Sequence, residues 1–187
     1  LKMTKEVYKS AEESMNRTIE ATKKEFNTVR TGRANPALLD RIQIDYFGTP
    51  TPLGHTATVT APDARTILIQ PWVKTTLADI ERALLKADLG LMPTNDGSVI
   101  RLNFPPLTEE RRKDLVKIVK KQAEDMRVAI RNIRRDANDQ LKKMEKENNL
   151  SEDEVKRAQD EIQTLTDKYI EMIDELLAAK EREIMEV

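Results

Sequence analysis

The chain has no cysteine among its 187 residues and a single histidine, His55. Without cysteine there is no disulfide framework, no thiol nucleophile, no redox pair and no thiolate zinc site, and one histidine makes neither a metal pair nor a catalytic triad. Aromatic residues are scarce as well, with three Phe, three Tyr and one Trp. That is too few to fill a broad core, so an elongated molecule is expected. No apolar run approaches the roughly 20 residues of a membrane helix. Nothing at the start reads as a secretory signal, and a cytoplasmic working place is expected, with Met3 as the natural start after Leu1 and Lys2. The phosphate-cradling GxxxxGK[ST], the dinucleotide GxGxxG and the nucleophile-elbow GxSxG patterns are all absent. Acidic pairs such as Glu109-Glu110, Glu124-Asp125 and Asp174-Glu175 have basic neighbours at helical spacing and read as solvated. No enzyme activity, cofactor, metal or small-molecule substrate is therefore expected, and His55 reads as an exposed loop residue.

What the chain does have is charge, 35% of all residues with a net of −1. The near-neutral total hides a polarity, since residues 107–147 hold 13 basic and 9 acidic side chains while 148–187 hold 5 and 12. The same two regions carry the clearest periodicity. Leu115, Val119, Gln122, Met126, Ile130, Ile133, Ala137, Leu141 and Met144 recur in steps of four and three, predicting one helix of about forty residues that begins at a Thr108 cap and ends near Asn148-Asn149. Ser151 and Glu154 form a capping-box pattern for a second helix with the stripe Val155, Ala158, Ile162, Leu165, Tyr169, Met172 and Leu176. A hairpin of two such helices wants a third partner. Val7, Ala11, Met15, Ile19, Thr22, Phe26 and Val29 supply it, giving a three-helix bundle from residues 1–30 and 106–187.

Between these pieces the period falls toward two, and all but one of the eight prolines lie in residues 31–105. Strands are expected at Arg41–Phe47, Ala57–Thr60, Ile67–Gln70 and Val99–Leu102, with Gly48–Gly54 as punctuation and Asp96-Gly97 as a turn. Thr76–Asp79 opens a short helix whose apolar face is Leu77, Ile80, Leu84 and Leu85 and whose C-cap is Gly90. The fold class is thus α+β, a long three-helix bundle with a small β/α/β domain, residues 31–105, inserted in it. Two crossings join the parts, one near 30–36 containing Thr31 and Gly32 and one near 104–106 containing Pro105 and Pro106. Two short crossings with few shared contacts suggest a hinge.

The sharpest polar signal is a ridge. Arg127, Arg131 and Arg134 are spaced by four and three, one residue round from the core positions Met126, Ile130 and Ile133, with Arg135 beside them. Guanidinium forks suit phosphate oxygens. Arg112 at the helix start and Arg30 and Arg33 at the first crossing repeat the theme. Two readings stay open on these grounds: a phosphate-binding face, or a set of internal pairs to the acidic last helix, as in a helical adaptor for protein partners. The near-straight helical period argues for a monomer and against a long coiled-coil dimer.

Several stretches together resemble the ribosome recycling factor family: Val29–Pro36 with Leu38-Leu39-Asp40, Tyr46–Leu53, Lys86–Leu91, Pro105–Lys113 and Val128–Asn138. Phe47, where Tyr is expected, and Trp72 are small departures. The resemblance implies an L-shaped molecule of transfer-RNA dimensions. It also implies binding to the large ribosomal subunit after termination and, with elongation factor G and GTP, splitting of the ribosome to release messenger and transfer RNA. The GTP belongs to the partner. By family motif the rRNA contacts fall on Arg30, Arg33, Arg112, Arg131, Arg134 and Arg135, and Arg127 joins them as the first member of the ridge.

Overall fold

A computed structural model describes residues 2–29, 31–147 and 149–186, and for Lys2 the backbone only. Its contacts divide it into two compact units, residues 1–31 with 108–187, and 32–107. The first unit is built from three long helices, α1 (Lys2–Asn27), α3 (Glu109–Lys146) and α4 (Glu152–Met185), each packed on the other two. α3 has 38 residues, about 57 Å at the α-helical rise. Its start is fixed locally: the Thr108 hydroxyl oxygen accepts from the Arg111 N–H at 3.1 Å, and Glu109 and Glu110 stand at the positive end of the helix dipole. Ser151 caps α4 in the same way, accepting from the Glu154 N–H at 3.2 Å.

The bundle core lies where the apolar stripes meet. Met15, Val119, Ile130, Leu141 and Ile173 are sealed from solvent, and the buried Tyr169 of α4 places its hydroxyl 2.6 Å from Asn16 Oδ1 of α1, so its polar tip is satisfied. The buried positions differ in detail from the expected stripes. In α3 the fully buried residue is Ala123, while its neighbour Gln122 is only half-buried. In α4 the buried positions run Tyr169, Ile173, Lys180 and Ile184, leaving Met172 and Leu176 half-buried. Val29 falls beyond the end of α1 at Asn27.

The second unit holds an antiparallel hairpin, β1 (Gln43–Tyr46) with β2 (Thr49–Pro52), and a four-stranded antiparallel sheet. That sheet is built from β3 (Ala57–Asp63), β4 (Thr66–Pro71), β5 (Pro93–Asn95) and β6 (Ile100–Asn103), in the order β3-β4-β6-β5. Helix α2 (Leu77–Lys86) packs on β1 and β5. Ile44, Leu53, Ile67, Ile69, Ile80, Leu84, Ile100 and Leu102 form the core.

Three expectations for this unit are corrected. The stretch expected as one strand followed by punctuation is a hairpin: Tyr46 pairs with Thr49 across Phe47 and Gly48, both at positive φ, 51° and 85°. Pro50 and Pro52 are compatible with β2 because this strand has one partner only, and the bonded positions alternate past them, as the Leu53 N–H to Ile42 C=O bond of 2.9 Å shows. Strand β5, three residues long and led by Pro93, lies in a stretch that carries too little pattern to be expected. Helix α2 stops at Lys86 and not at Gly90, the chain turning instead through Asp88 at φ 48°, and Leu85 is 52% exposed. The Asp96-Gly97 turn forms as expected, with Gly97 at φ 92° and Asp96 Oδ1 accepting from the Ser98 and Val99 N–H groups.

Candidate nucleic-acid interface

The arginine ridge lies on α3 beside α4, and the four residues differ in what holds them. Arg127 is closed on three sides. Its Nε donates to Asp174 Oδ1 of α4 at 2.8 Å, its Nη2 lies 2.7 Å from the same oxygen, and its Nη1 donates to Glu124 Oε2 at 3.1 Å. Its side chain is only 18% exposed. Partial desolvation by itself would favour the neutral guanidine, but the hydrogen bonds to Asp174 and Glu124 outweigh it and hold Arg127 more firmly protonated than usual.

Arg131, one turn on, shares the same carboxylate, its Nη1 donating to Glu124 Oε1 at 3.3 Å. Among the described residues Arg134 has no carboxylate partner: its Nη1 donates to Gln163 Oε1 at 3.1 Å, the Gln163 amide in turn donates to Asp167 Oδ1 at 2.9 Å, and its Nε is buried without an acceptor. Arg135 is exposed and donates to Asn132 Oδ1 at 3.2 Å. Among the described residues bonded counter-charge therefore falls along the ridge, from two carboxylates at Arg127 to one at Arg131 and none at Arg134 and Arg135. Among the described residues the guanidinium groups at this end are bonded to neutral amides only, Gln163 and Asn132. Such an arrangement can accept phosphate oxygens through multiple N–H donors.

Arg112 is half-buried in the first turn of α3, its N–H bonded to the Thr108 carbonyl at 3.0 Å. Arg33 is exposed in the second unit, next to Ala34, whose N–H donates to the Ala64 carbonyl at 2.8 Å. Arg30 lies outside the described residues. Of the crossing residues, Thr31 is buried in the first unit and its hydroxyl donates to Glu183 Oε1 of α4 at 3.0 Å. Glu183 Oε2 lies 3.6 Å from the Nζ of Lys180, a lysine only 8% exposed. Gly32 opens the second unit at φ 79°, where a Cβ would stand 3.0 Å from Leu107 Cγ. Pro105 and Pro106 are exposed in chain outside any helix or strand.

Glu124 and Asp174, expected only as members of solvated acidic pairs, are bonded to the ridge, and Gln163 carries no signal in the sequence. Glu124 is recoverable in principle, since it precedes Arg127 by three and Arg131 by seven, a helical neighbourhood. Asp174 and Gln163 are not, because their pairing depends on the register of α4 against α3. His55 is exposed, as read from its loop. No cluster of three metal-binding side chains occurs among the described residues, and no helix among them is long and apolar enough to cross a membrane.

Residues 22–185 match the family described as "Ribosome recycling factor". The ribosome-recycling factor of Symbiobacterium thermophilum is 57% identical over 185 residues, 99% of this chain and 100% of that protein. That of Caldicellulosiruptor bescii is 60% identical over 177 residues, 95% and 96% of the two chains. Among solved structures, a solution structure of the ribosome recycling factor is similar at a TM-score of 0.80 and 42% identity, covering 100% of both chains. Another, at a TM-score of 0.65 and 51% identity over 98% of this chain and 99% of that one, is described as models for the T. thermophilus ribosome recycling factor and the E. coli elongation factor G bound to the E. coli post-termination complex.

Proposed function

Because the chain belongs to the ribosome recycling factor family, we propose that it binds the large ribosomal subunit of the post-termination complex and, with elongation factor G and GTP, splits the ribosome to release messenger and transfer RNA. The observation that carries this reading is the open end of the α3 ridge, where Arg134 and Arg135 have no carboxylate partner among the described residues. Phosphate contacts of this kind fix register on an RNA through its backbone and shape, which suits rRNA whose deep groove hides the base edges. Arg131, Arg112, Arg33 and Arg30 extend the footprint. Arg127, tied to Asp174 and Glu124, serves it as a brace that holds α3 and α4 in register.

The two units act as separate domains in this reading, the bundle as anchor and residues 32–107 as the part that elongation factor G pushes. Thr31, Gly32, Pro105 and Pro106 form the hinge. On the bundle side Thr31 is pinned to Glu183, while Gly32 adopts the left-handed backbone conformation at the crossing. The factor acts in the cytoplasm as a monomer, makes no covalent chemistry of its own and needs no cofactor, the GTP being the partner's. The test is co-sedimentation with isolated large subunits over a salt series, comparing the native chain with an Arg131→Ala/Arg134→Ala double variant. Salt-sensitive binding that the variant loses is expected. Failure of the native chain to bind at low salt would refute the reading and favour a helical adaptor.

A further inference from the structure

We propose that Glu124 is a built-in competitor for the phosphate that Arg131 engages, so that RNA binding at this position is an exchange of one anion for another. The inference rests on reading the ridge as an RNA-binding face. One carboxylate divides its two oxygens between two arginines, Oε2 to Arg127 at 3.1 Å and Oε1 to Arg131 at 3.3 Å. The two bonds are not equivalent. Arg127 is also held by Asp174 through two nitrogens and is 18% exposed. Arg131 is 39% exposed, and Glu124 is its sole hydrogen-bond partner among the described residues.

Carboxylate and phosphate oxygens accept from the same guanidinium N–H groups, so a phosphate arriving at Arg131 finds one donor occupied and a negative charge beside it. Removal of Arg131 Nη1 from Glu124 leaves the carboxylate still bonded to Arg127, and no buried group is stranded. Exposed pairs of this kind are weak and readily exchanged. Glu124 thereby lowers the affinity of the free factor for RNA and supplies a ready acceptor for Arg131 when the factor leaves. A carboxylate that only prearranged Arg131 for RNA would have the opposite effect, since its loss would cost affinity.

Glu124→Gln separates the two. It keeps the side-chain shape and removes the charge. In large-subunit binding at constant moderate salt, Glu124→Gln should bind roughly twofold to fivefold more tightly than the native chain, the range of an exposed ion pair. Asp125→Asn makes the same change of net charge one residue round the helix, where the carboxylate pairs with Lys121, and should move affinity clearly less. In an Arg131→Ala background the gain from Glu124→Gln should shrink to that of Asp125→Asn. Unchanged or weaker binding by Glu124→Gln, or a gain that persists in full without Arg131, overturns the proposal while native binding stands. No binding by the native chain overturns the ribosomal reading itself, and this inference with it.

Discussion

Replacing Arg134 with alanine should flatten the salt dependence of large-subunit binding by the share of a single phosphate. The guanidinium lies against α4 with a neutral partner, Gln163, at 3.1 Å, and no carboxylate among the described residues pairs with it. Each phosphate neutralised by a protein cation contributes about 0.7 to 0.9 to the slope of log affinity against log salt. Between 50 and 200 mM salt, a fourfold rise, the ratio of native to variant affinity should therefore narrow by about threefold. Sedimentation binding at five salt concentrations resolves that change. The same substitution removes a buried N–H, at Nε, that has no acceptor, so the melting midpoint should stay level or rise. Parallel salt lines for native and variant would refute the argument, because they would mean that Arg134 neutralises no phosphate. A marked fall in melting midpoint would mean instead that the residue is part of the bundle's support.

Two further substitutions test the scaffold that carries the ridge and the crossing. Gly32→Ala forces an L-residue into a φ of 79° and sets a Cβ 3.0 Å from Leu107 Cγ, a cost of about 1–2 kcal/mol from the backbone alone. Gly54→Ala, where a Cβ meets nothing within 4 Å, is the matched control, and calorimetry showing equal midpoints for the two variants would contradict the assignment of strain to Gly32. Ile130→Ala empties a position of 0% exposure on the core side of the ridge and should cost about 2–5 kcal/mol by urea unfolding. A loss below 1 kcal/mol would show that α3 is not held where the ridge needs it.

The bundle was legible because its signals are local and repeated: caps at Thr108 and Ser151 and stripes that survive an error of one position, as at Gln122 and Ala123. The sheet was less so. Prolines at 50 and 52 speak against a strand on propensity, and only the knowledge that β2 has a single partner makes them admissible. Phe47 at positive φ is equally invisible in advance, since a bulky residue there is disfavoured and the hairpin imposes it. In the site, the spacing of Arg127, Arg131 and Arg134 predicted a shared face, and they share it. Their unequal availability could not be read, because it is decided by residues as much as 47 positions away, Asp174 above all.

That inequality bears on which of the two sequence readings the ridge supports. Internal pairing to the acidic last helix holds in full for Arg127, and in this respect the plainer reading describes what is seen. It does not extend along the ridge. α4 is rich in carboxylates, with Asp160, Glu161 and Asp167 all within four residues of Gln163, yet the group that meets Arg134 is the neutral amide, and Asp167 is bonded to that amide and not to the arginine. A helix pair stabilised by charge complementarity would gain from an acid at that position, where the arginine Nε lacks any acceptor. The bundle instead sets its carboxylates against the Arg127 end, which ties α3 to α4, and leaves Arg134 and Arg135 bonded to neutral amides with the Arg134 Nε lacking an acceptor among the described residues, which is the arrangement the proposed phosphate contacts would use.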